Sequence, residues 1–172
     1  MSALVYRLCR YTAWFSGAVV AAIALVSVVS IAGRALSGLG LGPVPGDFEL
    51  VEAGTALAVF SALPWCYLAR GHAAVDIFWE AFPQRLKSVV QVATSALMLL
   101  VWALLTWRMG IAMFEHRASG ETTFILGMPL WWGYAAAMPP AVIGCVAYAW
   151  RMLEDIGLAS PPPGFAGEGA AH

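Results

Sequence analysis

Four long stretches of the chain contain no Asp, Glu, Lys, Arg or His: Tyr11 to Gly33, Ala53 to Ala69, Ser88 to Trp107 and Thr122 to Trp150. Uncharged runs of this length constrain a fold strongly, because a helix rising about 1.5 Å per residue needs about 20 residues to cross a hydrocarbon layer of about 30 Å. The second run reaches that length once the flanking Leu50 and Val51 are added. Its ends are informative: Glu49 and Glu52 stand at its start, and Arg70, Gly71, His72 and Asp76 follow its end. Acids at one end and a small polar cluster at the other predict a membrane span with each polar group at a surface.

The rest of the composition agrees. Only 11% of the residues are charged and 61% are hydrophobic, with a mean hydropathy of +0.78. Soluble domains carry about 25% charged residues, so this chain cannot cover a globular surface in water. A net charge of −1 supplies no basic patch and argues against nucleic acid as a partner. Cys9, Cys66 and Cys145 are far apart and the last two lie inside apolar runs, so they read as packing residues, with no metal spacing and no disulfide framework.

In chain order, Arg7 and Arg10 precede the first run, which at 23 residues is longer than the roughly 7 to 15 of a signal peptide and reads as a retained span. Arg34 ends it, and the Gly- and Pro-rich segment Ala35 to Asp47 predicts an exposed loop, with Asp47 as cap of the second span. Val75, Phe78, Trp79 and Phe82 share one helical face while Asp76 and Glu80 lie on another, predicting a short surface helix that Pro83 stops. After Trp107, the good helix formers around Arg108, Glu115, His116 and Arg117 predict a third helix that projects past the membrane or is strongly tilted, ending at Ser119-Gly120. Thr122 to Met128 reads as an ordered apolar loop, and Pro129 fits the first turn of a fourth span whose middle Pro139-Pro140 should kink.

The expected fold is therefore an all-α integral membrane domain over residues 1–158. It has four spans at about 11–33, 50–69, 88–107 and 129–150, a surface helix at about 74–82, and a disordered Pro-, Gly- and Ala-rich tail at 159–172. With the amino terminus inside, Arg7, Arg10, Arg70, Arg85, Lys87 and Arg151 face the cytoplasm and Arg34, Arg108 and Arg117 face out. That asymmetry satisfies the positive-inside rule, so both termini are expected to be cytoplasmic, and Trp65, Trp79, Trp107, Trp131, Trp132 and Trp150 fall near span ends.

An ionisable residue deep in a span costs at least about 2.5 to 3.5 kcal/mol and is kept where it works. The four central runs carry none, which argues against a proton relay, an ion site or an activated nucleophile. His72 and His116 fall at span ends on opposite sides, which does not suit a haem, and His72 with Asp76 at i and i+4 gives only two metal ligands. No enzyme activity, cofactor or metal is expected. Glu49 and Glu52 share a helical face; they can form an interfacial salt bridge, with Arg34 or with a partner, or stay solvated at a helix amino terminus whose dipole favours them.

Several short motifs occur together in order. They are an Arg-bearing start, a first span closing in Gly33-Arg34, Glu49-Leu50 opening the second, Gly71-His72-x-x-Val75-Asp76 after it, and Gly127-Met128-Pro129-Leu130-Trp131-Trp132 opening the fourth. Over roughly residues 5 to 156 this pattern resembles the small membrane subunit of tripartite ATP-independent periplasmic (TRAP) transporters, of the DctQ type. The resemblance implies a bacterial inner-membrane scaffold that pairs with a large polytopic subunit, which holds the substrate and sodium sites. A soluble periplasmic solute-binding protein would deliver an organic acid to the pair, and membrane lipid would surround it. It also implies structural or subunit-contact roles for Glu49, Gly71, His72 and Asp76, and Arg34, Glu52, Pro129, Trp131 and Trp132 are further candidates for such roles. Pro64-Trp65 in the second span and Pro139-Pro140 in the fourth depart from the pattern. Two other classes compete: a membrane anchor of a redox complex, which needs haem or quinone ligands, and a self-sufficient dimeric transporter, which needs a membrane-embedded acid.

Overall fold

The computed structural model of the protein describes residues 2–69, 71, 83–160 and 162. Four long helices make up the described chain: α1 (Ser2–Ala35), α2 (Asp47–Leu68), α3 (Gln84–Ser119) and α4 (Trp131–Asp155). All four are long and apolar enough to cross a membrane. The 22 residues of α2 give about 33 Å of helix, just more than the apolar thickness of a bilayer. The helices run up and down, so the start of α1, the close of α2, the start of α3 and the close of α4 lie at one end of the bundle. The α1–α2 and α3–α4 loops lie at the other.

Packing is uneven. α1 lies mainly against α2, α3 against α4, and α4 touches all three of its neighbours. The sequence of α4 explains its central place. Ala137, Pro140, Ala141, Gly144 and Ala147 fall on one stripe at helical spacing, and all are buried. Without a hydrophobic force between helices in lipid, close backbone approach supplies the attraction, and small residues permit it. At Gly144 a Cβ would lie 2.4 Å from the Trp102 indole nitrogen, so the indole of α3 occupies the space that any side chain would need. Gly54 plays the same part between α1 and α2, where a Cβ would meet Ile23 at 2.4 Å. The buried Ser16 hydroxyl crosses the same seam to donate to the Ala58 carbonyl at 2.8 Å.

Helix limits differ from the sequence-based spans where polar side chains find partners. α1 starts at Ser2 rather than near Tyr11, because Val5, Tyr6 and Cys9 are buried against Leu68 and Ala147. Gly46, at φ 72°, holds the position before α2, and Asp47 is the first helical residue, accepting from its neighbour Phe48 N–H at 2.8 Å. Pro129 precedes α4, which begins at Trp131, and α4 runs unbroken through Pro139-Pro140. Those prolines carry no N–H, so the carbonyls of Ala135 and Ala136 lose their usual helical donors. The last turns of α3, which ends at Ser119, pack on α4, where His116 stacks on Tyr134 at 5.1 Å. The surface helix expected at 74–82 lies outside the described residues, as does the tail apart from Ala159, Ser160 and Pro162.

Candidate functional site

Two polar constellations stand at opposite ends of the bundle. At the end where α1 starts and α4 closes, the last turn of α4 brings Arg151, Glu154 and Asp155 to one face. Arg151 donates from Nη1 to Glu154 at 3.0 Å, and its Nη2 lies 3.5 Å from Asp155. The three side chains keep 9%, 5% and 4% of their surface exposed, so this is a buried triad with one cation and two anions.

Every helix contributes to it. Tyr6 of α1 donates to Glu154 at 3.2 Å and Trp150 Nε1 donates to the same carboxylate at 3.0 Å. From α3, Gln91 donates to Asp155 at 2.8 Å and the Ser95 hydroxyl donates to the other carboxylate oxygen. Tyr67 of α2 completes the chain by donating to Ser95 at 3.0 Å. Two buried carboxylates beside one guanidinium would leave an excess negative charge, and the donors from Tyr6, Trp150, Gln91 and Ser95 spread it. An aromatic stack continues inward from the network. Tyr67 lies on Tyr148 at 4.2 Å, Tyr148 on Trp102 at 5.0 Å, and the Trp102 indole N–H donates to the Ala141 carbonyl at 2.9 Å. The arrangement ties four helix ends together through saturated hydrogen bonds.

At the opposite end Glu49 receives the α3–α4 loop. Its carboxylate accepts the Ile125 amide at 2.7 Å and the Leu126 amide at 3.0 Å. Within the loop, the Thr123 amide donates to the Met128 carbonyl, the Met128 amide to the Thr123 hydroxyl, and the Leu130 amide to the Glu121 carbonyl. Leu126 packs over Gly46, where a Cβ would meet its side chain at 2.4 Å. Nearby, Asp47 accepts from Ser30 of α1, Arg117 lies over the Trp131 ring at 5.3 Å, and His116 pairs with Glu121 at 2.7 Å.

The residues singled out in the sequence are divided between these ends. Glu49, Arg34, Glu52, Pro129, Trp131 and Trp132 gather at the loop end. There Glu49 meets backbone amides, Pro129 bridges to Thr122, and Trp132 packs edge-on against Trp131 at 6.3 Å. Arg34 is in none of the ion pairs found among the described residues, and Glu52 is exposed. Gly71 is at the terminal end, where its amide caps the Cys66 carbonyl of α2 at 2.9 Å. His72 and Asp76 lie outside the described residues.

Sequence reading missed the buried triad. The sequence places Arg151 at the cytoplasmic surface and does not single out Glu154 and Asp155, since an acid just beyond an apolar run looks like a solvated helix end. The signal available was Arg151-x-x-Glu154-Asp155, whose i,i+3 and i,i+4 spacing pairs charges on one face. The partners on the other three helices have no such signal.

Comparison with known proteins gives one family. The family described as tripartite ATP-independent periplasmic transporters, DctQ component, matches residues 23–159. Neither the curated proteins nor the solved structures compared with the chain gave a match. The match covers α2, α3, α4, both loops of the loop end and the last part of α1 from Ile23 onward, and it is to a transporter component, which lends nothing to the redox-anchor alternative.

Proposed function

The chain belongs to the DctQ family of TRAP transporter small membrane components, and on that premise we propose that it is the static scaffold of an organic-acid importer. It is a multi-pass membrane protein of a family whose members work with a large membrane component and a periplasmic binding component. In this reading the large component carries solute and coupling ion, the binding protein delivers the solute, and this chain holds the large component in place in a bacterial inner membrane with both termini cytoplasmic.

One observation carries the scaffold role. Arg151, Glu154 and Asp155, buried together at the end of α4, are paired with one another and with donors from α1, α3 and α4, and Tyr67 of α2 joins them through Ser95. A group that carries a proton or an ion must exchange partners during each cycle, whereas a saturated network resists exchange and rigidifies. Such a network suits a part that stays still while its partner moves. Tripartite uptake reconstituted with and without this chain tests the reading. Solute uptake should require the chain, and uptake by the large component alone at the full rate would exclude it.

A further inference from the structure

The α3–α4 loop carries an exposed apolar tip. Phe124 is 102% exposed and Ile125 60%, with Phe48 at 76% and Trp132 at 54% beside the same end of the bundle. Exposure on the spans themselves is expected of helices in lipid, but a loop tip in water would be polar. The segment Thr122 to Trp132 has no charged residue at all.

Its backbone is unusual in the same direction. Apolar surroundings exclude a loop because unpaired amides and carbonyls cost several kcal/mol each in hydrocarbon. Here the amides of Thr123, Ile125, Leu126, Met128 and Leu130 all have partners inside the protein, and two of those partners are the oxygens of Glu49. Pro129 has no amide to satisfy. Leu126 packs over Gly46 and keeps 37% of its surface exposed, against 102% for Phe124 and 60% for Ile125, so the tip points with Phe124 and Ile125.

Helix length sets the depth. The 22 residues of α2 give about 33 Å against an apolar layer of about 30 Å, and Glu49 is the third of them. The carboxylate that grips the loop therefore stands within about 5 Å of the layer's edge, level with the polar groups of the interface. Trp131 and Trp132 mark the same level, where amphipathic rings prefer to sit.

We propose that the loop tip Phe124-Ile125, held by Glu49, is a membrane-inserted wedge that buries its side chains among the phospholipids of the leaflet at the loop end. The surface is continuous with the lipid-facing sides of the spans. A soluble partner would meet an uncharged tip in which the Thr123, Ile125, Leu126 and Met128 amides already have partners, with little left to recognise. The wedge needs only the membrane-spanning architecture and stands apart from the scaffold reading.

The test places the photoreactive amino acid p-benzoylphenylalanine at position 124 of the full chain, co-expressed with its transporter partners in native membranes. Phe124 makes no buried contact, so the replacement does not disturb the fold. After irradiation, the peptide containing position 124 should carry the mass of an intact phospholipid. A crosslink to the large component or to the binding protein instead, or no adduct at all, would overturn the wedge. Adding Glu49→Ala to the labelled chain should lower the lipid-adduct yield several-fold, by freeing the loop; an unchanged yield would overturn the role given to Glu49.

Discussion

At the level of single residues, geometry separates glycines that any small residue could replace from those that none can. At Gly144 the Trp102 indole fills the place of a side chain, whereas a Cβ at Gly133 would meet Ala53 at an ordinary 3.9 Å. Gly144→Val should therefore push Trp102 out of its stack with Tyr148 and destabilise the protein by about 1–3 kcal/mol, while Gly133→Ala should be near neutral. Thermal unfolding of the two variants in the same detergent checks the contrast, and equal midpoints would count against the packing assigned to α4. Glu49 illustrates the opposite limit of sequence reading. Its helix and the end of the bundle that it occupies were legible from the two flanking runs. The Ile125 and Leu126 amides that it accepts were not, because residues 76 and 77 positions away meet only when α3 and α4 have folded back.

Among the helices, the triad at the end of α4 makes α4 the element on which the others depend. Removing one partner of a buried ion pair typically costs about 3–5 kcal/mol, more than the pair itself is worth. Arg151→Met strands two neighbouring carboxylates without their cation, whereas Glu154→Gln leaves the Arg151–Asp155 pair and keeps an acceptor for Tyr6 and Trp150. The arginine variant should accordingly be the less stable of the two. Combining Arg151→Met with Glu154→Leu and Asp155→Leu should recover part of the loss, since an apolar set of similar volume removes the stranded charge. Urea or thermal midpoints of the three variants decide this, and a ranking in which Glu154→Gln is the more damaging would refute the assigned partners. The four spans themselves were legible because the absence of charge over about 20 residues has few other causes in a helical chain. The ends were less so: α1 gains its first turns from Val5, Tyr6 and Cys9 packing on α2 and α4, a gain invisible in residues 2–10 alone.

For the molecule as a whole, burial of Arg151 alters the charge balance that orients the bundle. With Arg151 neutralised by its two acids, the count expected from the sequence falls from six against three to five against three, with Arg7, Arg10, Arg70, Arg85 and Lys87 on one side and Arg34, Arg108 and Arg117 on the other. Arg7→Gln with Arg10→Gln makes the count three against three, so this double variant should insert in both orientations. Paired reporters fused to the carboxyl terminus, one active only inside the cell and one only outside, would both become active; a reporter pattern unchanged from the parent would contradict the orientation. Features with a local cause can be read from the residues alone: membrane residence from charge depletion, the number of spans from their length, and family from short motifs in fixed order. Which polar groups are structural depends instead on how the helices pack. A carboxylate at a helix end looks the same in sequence whether water or four helices surround it, and only packing shows that Glu154 and Asp155 are enclosed, that Glu49 holds a loop, and that Trp102 lies on Gly144.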